Sequence, residues 1–239
     1  MTGLQYFFRM GVEEPLALNS FYLWILLIIG IYWAMKTKVT DTKISVMIMI
    51  GIAFQVVLMA WYLQDFSFFI QEGLPLYHCR IATIGLAIMW WLKKEKALRI
   101  LAFLGLIGAT MAYSIPDASP YNWPHITLVT FVGYHFNLAI LSTLLLRKTV
   151  RITLGFTEIT RFIFILNAII FAVDLMSGAN YGYFMHLPKM LNWQLPPFVL
   201  WLGISILMSV TIFSCQNFVQ RRLVKNPLPI EMIEVDHEK

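Results

Sequence analysis

The sequence predicts an all-α fold: a polytopic integral membrane protein of seven transmembrane helices, its N-terminus outside and its C-terminus in the cytoplasm. Three observations lead there. Apolar runs of about twenty residues recur along the chain, the length a helix needs to cross a hydrocarbon core of about 30 Å. Of the 239 residues, 59% are hydrophobic and only 13% charged, where a soluble domain carries roughly 25%. The runs lack the alternation of a barrel strand, and lipid then leaves helices as the way to satisfy the backbone.

Residues 1–17 hold Arg9, Glu13 and Glu14 without a basic stretch leading at once into an apolar core, so they read as a retained extracytoplasmic segment rather than a cleaved leader. The seven-helix domain is expected over residues 18–216, with spans at Leu18–Met35, Ser45–Leu63, Leu74–Leu92, Leu98–Ser114, Pro124–Leu146, Thr160–Met176 and Pro196–Phe213. A cytoplasmic tail follows over 217–239. Its end, "NPLPIEMIEVDHEK", has two prolines and mixed charge and reads as loose chain. The stretch "SGANYGYFMHLPKMLNWQLPP" before the last span is rich in aromatics, amides and prolines, which suits a loop at the interface.

The net charge of +5 does not indicate a nucleic-acid partner, because the basic residues lie in short loops between apolar runs. One face carries Lys36, Lys38, Lys43, Lys93, Lys94, Lys96, Arg99, Arg147, Lys148, Arg151, Arg161, Arg221, Arg222 and Lys225, and the other only Arg9, Arg80 and Lys189. That asymmetry sets the predicted orientation.

Ionisable residues inside a bilayer are costly and therefore mark candidate sites. Counted at 1.5 Å per residue from the nearest basic residue of the cytoplasmic face, Cys79 lies roughly 21 Å up, His135 roughly 18 Å and Asp174 roughly 20 Å. Three helices thus bring a thiol, an imidazole and a carboxylate to one level, the set a Cys–His–Asp relay requires. A lone membrane cysteine also serves as a small packing residue, and a His–Asp pair as a structural bond between helices. Arg80, next to Cys79, could act on the thiol through its field, hold a lipid phosphate or snorkel. His125, roughly 33 Å up, falls at the outer interface, where it could capture a headgroup or assist as a second acid/base. Asp117, between two prolines, reads first as a turn residue. Asn180, Tyr181 and Tyr183 in "NYGY" either close the site from outside or belong to the aromatic belt. Cys215, roughly 9 Å up, is too far from Cys79 to pair with it. His186 falls in the outer loop and His237 in the tail. No metal motif, phosphate-binding loop or dinucleotide fingerprint occurs in the sequence, and no cofactor is expected.

The ordered motifs "LPLYHC", "IPD", "PHITLVTFVGYHFNLAI", "GANYGYFMHLP" and "PPFVLW" resemble those of the YwaF-type bacterial integral membrane proteins, which are similar to transmembrane protein 164 of animals. The resemblance runs over about residues 20 to 215. It implies acyl transfer between phospholipids through a cysteine acyl-enzyme assisted by a histidine, and the matching positions are Cys79 and His135. A family pattern with an amide a few residues before "NYGY" meets Asp174 here, so the role of Asp174 as the group orienting His135 rests on the depth count.

The expectation is therefore a membrane-embedded acyltransferase of the bacterial cytoplasmic membrane. Its substrate is a membrane phospholipid or lysophospholipid. His78, Arg80, Asp117, His125, Asn180, Tyr181 and Tyr183 would border the headgroup. A small-solute transporter with a His–Asp relay, and a non-catalytic receptor or scaffold, are the alternatives.

Overall fold

The computed structural model describes residues 3–11, 13, 18–188, 191 and 193–225. Among these the secondary structure is helical throughout. In chain order the helices are α1 Gly3–Phe7, α2 Ser20–Lys36, α3 Asp41–Tyr62, α4 Phe66–Phe68 running into a π-helical turn at Phe69–Gly73, α5 His78–Trp91, α6 Glu95–Ser114, α7 Ile126–Lys148, α8 Phe156–Ser177 and α9 Pro197–Lys225. Each of the seven apolar segments coincides with one of the longer helices. Five of them, α3, α6, α7, α8 and α9, are long and apolar enough to cross a membrane. Helix α2, at 17 residues, and α5, at 14, are shorter.

Local chemistry sets the boundaries. Helix α3 starts at Asp41, earlier than the hydropathy predicts, because the Thr40 side chain accepts from the Lys43 N–H. Helix α8 ends at Gly178, which takes φ 71° and donates its N–H to the Asp174 carbonyl, a conformation that glycine adopts without a Cβ penalty.

Two expected boundaries are corrected. The third segment was expected to be helical from Leu74, yet α5 begins only at His78. Leu74 precedes Pro75 and is extended at ψ 147°, as the clash with a following proline ring dictates. At the other end the expected helical segment stops at Phe213, and α9 runs on to Lys225. No proline or glycine occurs between Phe213 and Pro227. The expected loose end at 226–239, with His237, lies outside the described residues, as does Lys189.

Helix α7 is the hub. It packs on α2, α3 and α6, and α5 packs on α6. Its apolar window is 67% buried, against 22% for α9, which lies at the periphery beside α8. The basic residues gather at one end of the bundle. There Lys148 pairs with Asp41, Lys96 with Glu158, and Arg147 donates to the Thr37 carbonyl. Arg99 corrects the loop reading of that face. It lies inside α6, is fully buried, and donates to the Thr149 carbonyl at 2.7 Å, just past the end of α7, where a cation meets the negative pole of the helix.

The opposite end is closed by loops. Arg9 forms a two-pronged pair with Glu13 and donates to the Asn122 and Pro124 carbonyls, and the Trp61 indole N–H donates to the Phe8 carbonyl. The N-terminal segment is thereby strapped over the α6–α7 connection.

Candidate functional site

Because α5 starts at His78, Cys79 sits in its first helical turn. The N–H groups of a first turn have no intrahelical acceptor, and the helix dipole favours negative charge there. A cysteine in the middle of a continuous helix would lack both features. The turn is held from above by Arg80, whose Nη1 donates to the Glu72 carbonyl at 2.7 Å and the Leu74 carbonyl at 3.0 Å. Its guanidinium lies over the Tyr77 and Tyr62 rings. Arg80 is thus mainly a cap on the π-helical turn.

The Cys79 sulfur lies against Gly108 of α6: a Cβ built on that glycine would stand 2.7 Å from Sγ. Helices α6 and α7 run antiparallel. Gly105 meets Leu138 and Ser142, while the Tyr113 hydroxyl donates to the Val132 carbonyl. Between those two contacts the register puts Gly108 opposite Asn137, about two residues or roughly 3 Å along the axis from His135. The His135 ring packs on Tyr113 of α6 and on Phe131 and Tyr134 of its own helix. Its Nδ1 lies 2.7 Å from the Phe131 carbonyl oxygen. A carbonyl only accepts, so Nδ1 carries the proton and Nε2 keeps a lone pair. Both Cys79 and His135 are half-buried. No hydrogen bond joins them among the described residues. The link nearest to the pair comes from Tyr134, which donates its hydroxyl to the Cys79 carbonyl at 2.6 Å.

Asp174 does not orient His135 among the described residues. It is fully buried, and its two oxygens accept the N–H groups of Tyr181 at 2.9 Å and Gly182 at 3.3 Å. Helix α8 packs chiefly on α9, so equal depth did not mean adjacency. The Phe131 carbonyl takes the orienting position instead.

His125 is likewise removed from any headgroup. It is fully buried, stacks on Tyr121 at 3.8 Å, accepts at Nδ1 from the Thr127 N–H and donates from Nε2 to the Arg9 carbonyl. It caps α7 and anchors the N-terminal strap. Tyr181 is fully buried too, its hydroxyl donating to the Ile70 carbonyl and accepting the Leu74 N–H. Asn180 closes its own loop onto Met185 and His186. These three residues hold in place the loops at the end of the bundle opposite the basic residues.

Tyr183 and Asp117 do meet, at 3.2 Å on the outer rim. Tyr183 holds φ 56°, which an ordinary side chain seldom adopts. His78 turns toward α8, with Nε2 2.8 Å from the Asn167 Oδ1. Asn167 uses its Nδ2 on the Ser205 hydroxyl, so its Oδ1 accepts and the proton of His78 is on Nε2.

Sequence reasoning missed Glu72, Tyr77, Thr83 and Tyr134. Glu72 accepts from the Tyr77 hydroxyl beneath the rim. Tyr134 stands beside His135 in "GYHF", and its adjacency to the histidine was the available signal.

No curated protein and no solved structure matches the chain. The family model of the TMEM164 family matches it over residues 9–215, nearly the whole helical bundle built around Cys79 and His135, and the chain belongs to that family.

Proposed function

We propose that this protein is a membrane-embedded acyltransferase that moves a fatty acyl chain between a phospholipid and an acceptor hydroxyl through a thioester on Cys79. The observation that carries the reading is the arrangement against α6. A thiol in the first turn of α5, seated on Gly108, and an imidazole with an unprotonated Nε2, packed on Tyr113, both lie against α6. Membership of the TMEM164 family supports it.

In the first half-reaction His135 Nε2 takes the thiol proton, the sulfur attacks the ester carbonyl carbon, and the C–O bond breaks. The leaving alkoxide recovers the proton from His135, giving a lysolipid and a thioester. In the second half His135 takes the proton of the acceptor hydroxyl, whose oxygen attacks the thioester carbon and displaces the sulfur, and the proton passes from His135 to the departing Cys79 thiolate. Atoms and protons balance without a cofactor. Peptide N–H groups in the first turn of α5 are suited to the developing oxyanion. The gap between Cys79 and His135 closes when substrate seats, as hydrogen bonds in apo sites often tighten in the complex.

All seven longer helices cross the membrane in this reading. The basic end of the bundle is cytoplasmic and the rim of Asp117 and Tyr183 faces the outer leaflet. Helix α5 does so despite its length because the π-helical turn and Leu74–Tyr77 complete its path. A His–Asp proton relay for transport would need Asp174 to face His135, and its oxygens are engaged on Tyr181 and Gly182.

The test is intact mass spectrometry of the protein, the Cys79→Ala variant and the Cys215→Ser variant after incubation with phospholipid vesicles. A hydroxylamine-labile fatty-acyl mass should appear on wild type and Cys215→Ser and be absent from Cys79→Ala. An acyl mass that persists in Cys79→Ala overturns the assignment.

A further inference from the structure

We infer that Tyr134 is a positioning residue that holds Cys79 in register with His135. The inference rests on the acyl-transfer reading and concerns a side chain outside the proposed catalytic pair. Tyr134 lies on α7, one residue before His135, and is buried. Its hydroxyl has one hydrogen, which goes to the Cys79 carbonyl at 2.6 Å. The Thr83 hydroxyl, 2.9 Å away, must therefore be the donor in its bond to Tyr134. Cys79 and Thr83 are one turn apart on α5, so Tyr134 grips a single turn of that helix at two points.

That grip matters because α5 and α7 pack mainly on α6 and only slightly on each other. The thiol and the imidazole belong to two helices whose relative placement is otherwise set through α6 and, at Gly51, through α3. Helix α5 is also the shortest of the seven longer helices, and its start is an irregular turn rather than a continuous helix. A direct bond from the residue beside the base to the carbonyl of the nucleophile fixes their separation. A misplacement of about 1 Å costs on the order of a hundredfold in rate, so such a bond acts on chemistry well beyond its own contribution to stability. Gln55, buried with no partner for its Oε1, lies on the α3 side of the same cluster.

The experiment is a double-mutant cycle on Cys79 reactivity. A Cys215→Ser background leaves Cys79 as the sole cysteine. The rate of its alkylation by N-ethylmaleimide is measured in detergent by intact mass, with thermal unfolding in parallel. His135→Ala should slow alkylation at least about tenfold where Tyr134 is present. In the Tyr134→Phe background the same change should alter the rate less than about threefold, because the histidine is already out of register. Thr83→Val, which removes one of the two grips, should reduce the dependence on His135 part of the way, and it carries the test if Tyr134→Phe does not fold. Equal effects of His135→Ala in all three backgrounds overturn the positioning role and leave the Cys–His reading intact. No effect of His135→Ala where Tyr134 is present overturns the pairing itself, and the positioning role with it.

Discussion

Asp174 and His125 are buried polar groups whose position in the sequence matched a reacting role, yet hydrogen bonds engage both elsewhere. Asp174 receives two backbone N–H groups from the start of the loop after α8. Deleting an acceptor from a buried pair of donors costs about 1–3 kcal/mol. Asp174→Ala should therefore lower the unfolding temperature while leaving the dependence of Cys79 alkylation on His135 unchanged. A variant that keeps its stability but loses that dependence would return Asp174 to the relay. The orienting bond of His135 comes from the carbonyl of Phe131, one turn earlier on the same helix. A backbone carbonyl fixes the tautomer as a carboxylate would, but it offers no formal charge to an imidazolium. The arrangement therefore suits a base that is protonated only transiently.

Among the elements, the close contact of α5 with α6 at Gly108 decides where the thiol points. A methyl group there would meet the sulfur at 2.7 Å and little else. The side chain can swing aside, so Gly108→Ala should change stability by less than about 1.5 kcal/mol. It should nevertheless alter the alkylation rate of Cys79 severalfold, measured in the Cys215→Ser background. An unchanged rate would mean that the sulfur does not need this seat. The π-helical turn is the second deciding element. Pro75 could have signalled it, since a residue before proline leaves the helical region. Hydropathy overrode that signal because Leu74 and Leu76 extend the apolar run. The consequence is chemical: Cys79 moves from the interior of an expected span to a helix start.

Across the whole molecule, the end of the bundle opposite the basic residues is closed by the N-terminal strap, held by Arg9 and Glu13 over the α6–α7 connection. The Arg9 guanidinium and the Asn122 N–H beside Glu13 hold its carboxyl down at about 2, from an ordinary 4.5. A carboxyl lowered by folding stabilises the docked strap fully above its unfolded value, and that contribution is lost as pH falls through the folded one. Hydrogen-exchange protection of the Asn122 amide, which donates to Glu13 Oε2, should therefore hold above pH 4.5 and decline toward pH 2. Protection independent of pH over that window would show that the strap is held by other contacts.

The sequence by itself determined that the chain is helical and membrane-embedded, where its seven apolar segments lie, and that Cys79 and His135 are the residues to examine. Those features follow from composition, run length and the cost of polar groups in lipid, which act along the chain and need no neighbours. Tertiary structure alone decided which depth-matched residues meet. The count along each helix brought Cys79, His135 and Asp174 to one level, but level is a single coordinate. The packing of α5 and α7 on α6, and of α8 on α9, supplied the other two. The same packing enclosed His125 and Tyr181 in structural hydrogen bonds and brought Tyr134 to Cys79, because helix adjacency is set by side-chain fit between segments distant in sequence.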